Sequence, residues 1–291
     1  MRSLGAAKRR QGFMRTGLRN GLWVLALSLL SCVGPARADT TFLNVCQRGS
    51  AADVERALDG GADPNSRASN GMTALMVAAG RNSSPQVLSL LLKRGADVNA
   101  VANKGITALF LAAVMQRDPR HATLLLEAGA DPNASVGITE EISPVSILIG
   151  AIIKNGEPAV VRALLKAGAN PNAAVRMPID LSRVESLKAL KLKGDFAMSM
   201  TVLMLAAYAP SSNLEIVTDL IRAGARVNAQ NDMGMTALSC AVLRPQSPAM
   251  VEVLLDAGAD PRIKDQFGQT PLDYAKDVPA LKRVLKRLGA R

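Results

Sequence analysis

The chain has 291 residues, 48% of them apolar and 3% aromatic, with 20% charged, three cysteines and one histidine. That composition excludes a disulfide-framework miniprotein, a collagen-like chain and a disordered tail. The formal charge of +11 is concentrated at one end: Arg2, Lys8, Arg9, Arg10, Arg15, Arg19 and Arg37 stand among the first 38 residues with no acid, and the rest holds 28 bases against 24 acids. A nucleic-acid partner is therefore not expected.

The first element has the three-part layout of a secretory leader. A basic stretch ends at Arg19, an apolar run covers residues 22–33, and Gly34-Pro35 precedes Ala36-Arg37-Ala38. A helix of that run covers ~18 Å of a ~30 Å hydrocarbon core, too short to span it. Cleavage after Ala38 and residence in a bacterial periplasm are expected, with a mature chain that does not span a membrane. The alternative address is a lipobox, Leu29-Leu30-Ser31-Cys32, with a lipid anchor on Cys32. Arg9-Arg10 reads as part of an ordinary basic leader, because Gly12 stands where a twin-arginine leader has a hydrophobic residue.

Beyond it the chain repeats. GADPN begins at Gly61, GADVN at Gly95, GADPN at Gly129, GANPN at Gly168, GARVN at Gly224 and GADPR at Gly258. A second string keeps step: TALMVAA from Thr73, TALFLAA from Thr107, TVLMLAA from Thr201, TALSCAV from Thr236 and TPLDYAK from Thr270. Ser143-Pro144-Val145-Ser146 fills the remaining slot, with Ser143 as the expected cap, Pro144 in the first helical turn and a stretched helical pair behind it. In each unit a threonine caps a short, alanine-rich first helix. A second helix carries apolar residues at i, i+3 and i+4, as in Leu88, Leu91 and Leu92, and stops at a glycine suited to the left-handed region. Asp-x-Asn then supplies a turn into an extended finger. One such unit cannot bury its apolar face alone, but stacked units can.

These strings resemble ankyrin repeats; GMTALMVAA from Gly71, GITALFLAA from Gly105 and GMTALSCAV from Gly234 are close variants of the family signature. The resemblance implies an all-α ankyrin-repeat solenoid over residues 39–291. About seven units are expected, near 40–70, 71–104, 105–136, 137–172, 200–233, 234–267 and 268–291, with an insertion at 173–199. The family's histidine slot would hold Met76, Phe110, Ser146, Met204, Ser239 and Asp273.

No catalytic spacing is present: H-E-x-x-H, G-x-S-x-G, the phosphate-binding G-x-x-x-x-G-K-[ST] and C-x-x-C are all missing. His121 has no second histidine to share a metal and reads as a partly exposed helix residue. Cys46 and Cys240 lie in first helices, five repeats apart, and read as buried, inert thiols. No enzyme activity, cofactor or metal is expected.

The resemblance implies a protein partner held by fingers and first helices. On that surface Met72, Ile106 and Met235, each following the glycine of G-x-T, join Val101 and Met233 in an expected apolar row, either exposed for binding or packed against the next finger. The second expected contact is the insertion. Between Asn172 and Thr201 lie 28 residues, where Asn99 to Thr107 holds seven. Asp180 would cap a helix with Leu181, Val184, Leu187 and Leu190 on one face and Arg183, Lys188 and Lys191 on the rest of its surface. It reads as a binding excursion or as a lid over an irregular joint. The resemblance thus implies a periplasmic interaction scaffold of the envelope-protection or toxin-immunity kind, with a secreted effector as the alternative.

Overall fold

The structure, a computed structural model, describes residues 41–82, 84–138, 142–178, 197–209, 213–243, 248–275 and 284. These fall into two compact units: an N-terminal one drawn from 41–138 and 144–170, and a C-terminal one drawn from 142–143 and 171 onward.

The N-terminal unit stacks four helix pairs: Thr41–Arg48 with Ala51–Asp59, Ala74–Arg81 with Pro85–Lys93, Ala108–Met115 with Pro119–Glu127, and Ile147–Gly150 with Pro158–Lys166. First helices pack on first helices and second on second. The C-terminal unit holds Val202–Tyr208 with Leu214–Arg222, Ala237–Val242 with Pro248–Asp256, and the helix Pro271–Ala275.

From the second repeat on, the first helices begin on hydroxyl caps. Thr73 Oγ1 accepts from Met76 N at 3.3 Å, Thr107 from Phe110 N at 3.2 Å, Thr201 from Met204 N at 3.2 Å and Thr236 from Ser239 N at 3.3 Å. The helices that follow are buried almost to their ends, Ala74–Gly80 and Ala108–Val114 entirely so. That leaves little of them to meet a partner.

The fourth pair corrects the expected frame. Its cap is Ser146, which accepts from Ile149 N at 3.4 Å, not Ser143, and Pro144 lies before the helix. From Ser146 to Gly168 is the same 22-residue step as from Thr73 to Gly95, so the helical pair is not stretched. The additional residues of this repeat lie in its finger, where Ser135–Val136 pairs antiparallel with Val145–Ser146. The histidine slot accordingly holds Ile149. After Gly150 the helix widens into a π turn, Ala151–Asn155. A Cβ on Gly150 would lie 3.0 Å from Val114 Cγ2 and 3.1 Å from Phe110 Cε2, so glycine lets the third repeat's aromatic ring approach.

The Asp-x-Asn strings form the inter-repeat ladder. Asp97 Oδ1 accepts from Asn99 N and holds a turn; Asn99 Nδ2 then donates to Gly129 O while its Oδ1 accepts from Asp131 N, both at 3.0 Å. Asn65, Asn133, Asn172 and Asn228 repeat the bridge to the following Gly-Ala turn. Arg262 replaces that asparagine in the last string and folds back on Asp260, Nε to Oδ1 3.0 Å, so the ladder ends there.

Candidate functional site

The fingers stack closely. Asn103 N donates to Asn70 O at 3.2 Å, Gln266 N to Met233 O at 3.0 Å, and the Arg67 guanidinium reaches Val101 O at 3.1 Å. A Cβ on Gly71 would lie 3.2 Å from Ala102 Cα, and one on Gly234 2.8 Å from Asp265 Cα. Fingers this close cover the residue after the glycine. Met72, Ile106 and Met235 are therefore buried, at 8%, 5% and 0% exposure, and Met233 is buried beside them. The expected exposed row is not formed: of its five residues only Val101, at 55%, meets solvent.

The ends of the insertion form an elongated finger. Ala174–Pro178 and Ala197–Thr201 pair antiparallel, with Val175 opposite Met200 and Met177 opposite Met198. These four side chains are buried, while Arg176 between them is exposed. That period-two alternation was the signal of a strand pair. Both edges are engaged: Ser143 N donates to Arg176 O at 3.1 Å on one side, and Ser199 N to Asp232 Oδ1 at 3.0 Å on the other. Arg183, Lys188, Lys191 and the helix expected from Asp180 lie outside the described residues.

A second feature sits where the first helices of the N-terminal unit end. Asn82 Nδ2 donates to Cys46 O at 2.9 Å and Gly49 O at 3.0 Å in the preceding repeat. Its own carbonyl accepts from Gln116 Nε2 at 3.2 Å, and Asn155 Nδ2 donates to Gln116 O at 2.6 Å and Ala113 O at 2.9 Å. Each carboxamide stands nine residues after its cap. His121 belongs to this relay. It is fully buried, not partly exposed, and its Nε2 donates to Asn82 O at 3.0 Å. Its Nδ1 is buried with no hydrogen-bond partner among the described residues. Sequence reasoning missed it because the partner carbonyl lies 39 residues upstream.

Cys46 and Cys240 are free and buried, and burial pushes both thiols up to about 12. They are protonated at neutral pH and poor nucleophiles. Hydrogen bonds from the Arg120 side chain and backbone hold the Asp118 carboxyl below its usual range, where it caps the helix Pro119–Glu127. Among the described residues no three His, Cys, Asp or Glu side chains group as metal ligands, and no helix is long and apolar enough to cross a membrane. Among the described residues the exposed large apolar side chains are Val101 on a finger, Met115 at the end of a first helix, 39% exposed, and Leu214 at the start of a second helix.

Comparison with known proteins agrees with this architecture. The family model for ankyrin repeats matches residues 42–136, 173–265 and 203–288. The ankyrin repeat domain of Bcl-3, described as a unique member of the IkappaB family, superposes with TM-score 0.61 and 26% identity over 87% of this chain and 99% of that one. The human ASB11 ankyrin repeat domain superposes with TM-score 0.63 and 22% identity over 85% and 97%, a likeness of fold. The mitochondrial disaggregases of Bos taurus and Homo sapiens are each 44% identical over 55 residues, and the chain spans only 8% of their length. The chain belongs to the ankyrin-repeat family and has its solenoid fold.

Proposed function

We propose that this ankyrin-repeat protein is a non-enzymatic scaffold, exported to the bacterial periplasm, that holds a folded protein partner on its fingers and first-helix ends. Ankyrin repeats are generally protein–protein interaction scaffolds and typically non-enzymatic. The observation that carries the reading is the distribution of exposure. The first helices are consumed by packing, while among the described residues Val101 and Met115 remain exposed on neighbouring repeats, with Leu214 the one other exposed large apolar side chain. Apolar side chains on a rigid scaffold are inexpensive anchors for a partner, because ordering them costs little further entropy. An envelope-protecting or toxin-immunity role fits such a scaffold.

Export is supported by the basic stretch, the apolar run and Ala36-Arg37-Ala38. Mass spectrometry of the protein from osmotic-shock fluid should find an N-terminus at Asp39. A lipid-modified Cys32, or accumulation in the culture medium, would move the reading to an anchored protein or a secreted effector respectively.

The partner test is an envelope pull-down with the full chain beside a variant in which residues 179–196 are replaced by Asn-Gly. Pro178 and Ala197 are directly paired, so a two-residue turn closes the hairpin. Capture by the full chain alone places the contact within residues 179–196, and equal capture places it on the fingers and helix ends. Failure of both to hold any protein defeats the scaffold reading.

A further inference from the structure

The first helices of the N-terminal unit end in a row of one sign. Arg48, Arg81 and Met115 are the last residues of their helices. Lys154 holds the matching place, eight residues after Ser146 as Arg81 is after Thr73 and Met115 after Thr107. Arg48, Arg81 and Met115 are exposed and Lys154 half-buried. Among the described residues none of the three cations forms an ion pair. The acids that follow these helix ends in sequence are engaged elsewhere, Asp53 in the first turn of the next helix with Arg56 and Asp118 with Arg120, and Glu157 forms no ion pair with Lys154.

Basic residues at helix C-termini answer the helix dipole, but that alone does not account for the row. The second helices of the same unit end on Asp59, Lys93, Glu127 and Lys166, alternating in sign. Helix ends in this unit therefore accept acids, and the first-helix row holds none.

The row is also held rigidly. The carboxamides of Asn82, Gln116 and Asn155, each one residue further on, tie every repeat to the one before. Neighbouring first helices touch at this level, where a Cβ on Gly80 would meet Met115 Sδ at 3.5 Å. Packed helices stand about 8–10 Å apart. One heptad of α-helix rises ~10.5 Å, seven residues at 1.5 Å. A helix laid across the row thus brings a residue over each point once per heptad.

We propose that this row is a docking surface for an acidic helical segment of a partner protein, resting on the scaffold reading above. Its carboxylates, one heptad apart, meet Arg48 and Arg81. An apolar side chain follows over Met115 and another carboxylate over Lys154. A thioether in the middle of the row suits an apolar neighbour and interrupts a track for phosphates.

The test uses the full chain and a fluorescent Ala-rich helical peptide carrying Glu, Glu, Leu and Glu at heptad spacing. Its companions are the same peptide with Gln for Glu, and one with the glutamates moved to five-residue spacing. Both companions should bind at least tenfold more weakly, and raising NaCl from 50 to 300 mM should weaken the heptad peptide alone. Joint substitution of Arg48→Gln, Arg81→Gln and Lys154→Gln should cost at least tenfold. A control with the same charge change on exposed cations elsewhere, Lys93→Gln, Lys166→Gln and Arg226→Gln, should stay within twofold. Failure of the heptad peptide to bind, equal binding of the Gln peptide, or equal loss in the control overturns the proposal. So does binding to anionic phospholipid vesicles in place of the peptide, which would assign the row to a membrane. A photo-crosslinker at position 115 separates the two readings in envelope extract. A partner crosslinked equally in the row variant defeats the acidic helix and leaves the scaffold standing, and no crosslinked partner in either defeats the scaffold too.

Discussion

The two units are built from the same repeat but tied differently. In both, the fingers are stitched together: Arg67 reaches Val101 O in the N-terminal unit, and Gln230 Nε2 donates to Lys264 O at 3.1 Å in the C-terminal one. Only in the N-terminal unit do first helices carry a carboxamide at their far end, in its second, third and fourth repeats; nine residues after their caps, the C-terminal repeats have Pro210 and Pro245, which offer no donor. The C-terminal unit instead invests in its fingers, with the long pair Ala174–Pro178 and Ala197–Thr201 locked to Asp232. A repeat pinned at both ends holds a fixed row of helix-end side chains. One pinned at its finger holds a strand pair whose edges are both tied.

The comparison breaks first at Asn82. Asn82→Ala strands the carbonyls of Cys46 and Gly49 in a buried site, and each unsatisfied group costs about 1–3 kcal/mol. A loss of about 3 kcal/mol is expected in urea unfolding. Because each repeat contacts only its neighbours, faster amide exchange should be confined to the N-terminal unit. Faster exchange in residues 203–275 would show that the ties are not local. Asp232→Ala removes an exposed tie and should cost less than 1 kcal/mol.

Glycines sharpen the same contrast between finger and helix end. Gly234 has φ +74 and its Cβ would strike Asp265 Cα, whereas Gly258 has φ +89 with nothing within 4 Å. Gly258→Ala should cost only the left-handed backbone penalty, about 1 kcal/mol. Gly234→Ala adds the clash and should cost about 3 kcal/mol by thermal or urea melts. Equal costs would mean that the finger contact yields.

What was legible follows from what repeats. The Gly-Ala-Asp-x-Asn and threonine strings encode local turns and caps, so the ladder and the helix starts could be read directly. Ser146 was obscured by Ser143-Pro144, a better-looking start three residues earlier, until the Ile149 amide settled the cap. Met72, Ile106 and Met235 were misread because their burial depends on how near the next finger comes, a tertiary distance with no local mark. Val175, Met177, Met198 and Met200 did leave a mark, an alternation masked by the helical pattern expected between them. The Asn82 relay joins positions 33 to 42 residues apart and had no pattern to find.

The thiols probe both units at once. With burial holding Cys46 and Cys240 up to about 12, neither should react with a disulfide reagent at pH 8 in the native protein, and both should react in denaturant. Asn82→Ala releases the Cys46 carbonyl and should speed labelling of Cys46 while leaving Cys240 protected. Labelling of both together would mean that the units open as one.

The smallest effect belongs to Asp118, at the helix start next to the relay. Its carboxyl is lowered chiefly by the Arg120 side chain and then by the Arg120 backbone amide. A depressed folded value stabilises the fold above the unfolded carboxyl value of about 3.9, and that contribution fades as pH falls through the folded value. Asp118→Asn keeps a competent cap but loses the charge. The wild type should therefore exceed the variant by a constant small margin from pH 7 to pH 5, and the two unfolding curves should converge below about pH 4. A margin that persists into acid would assign Asp118's contribution to its cap geometry, leaving the Arg120 pair without weight.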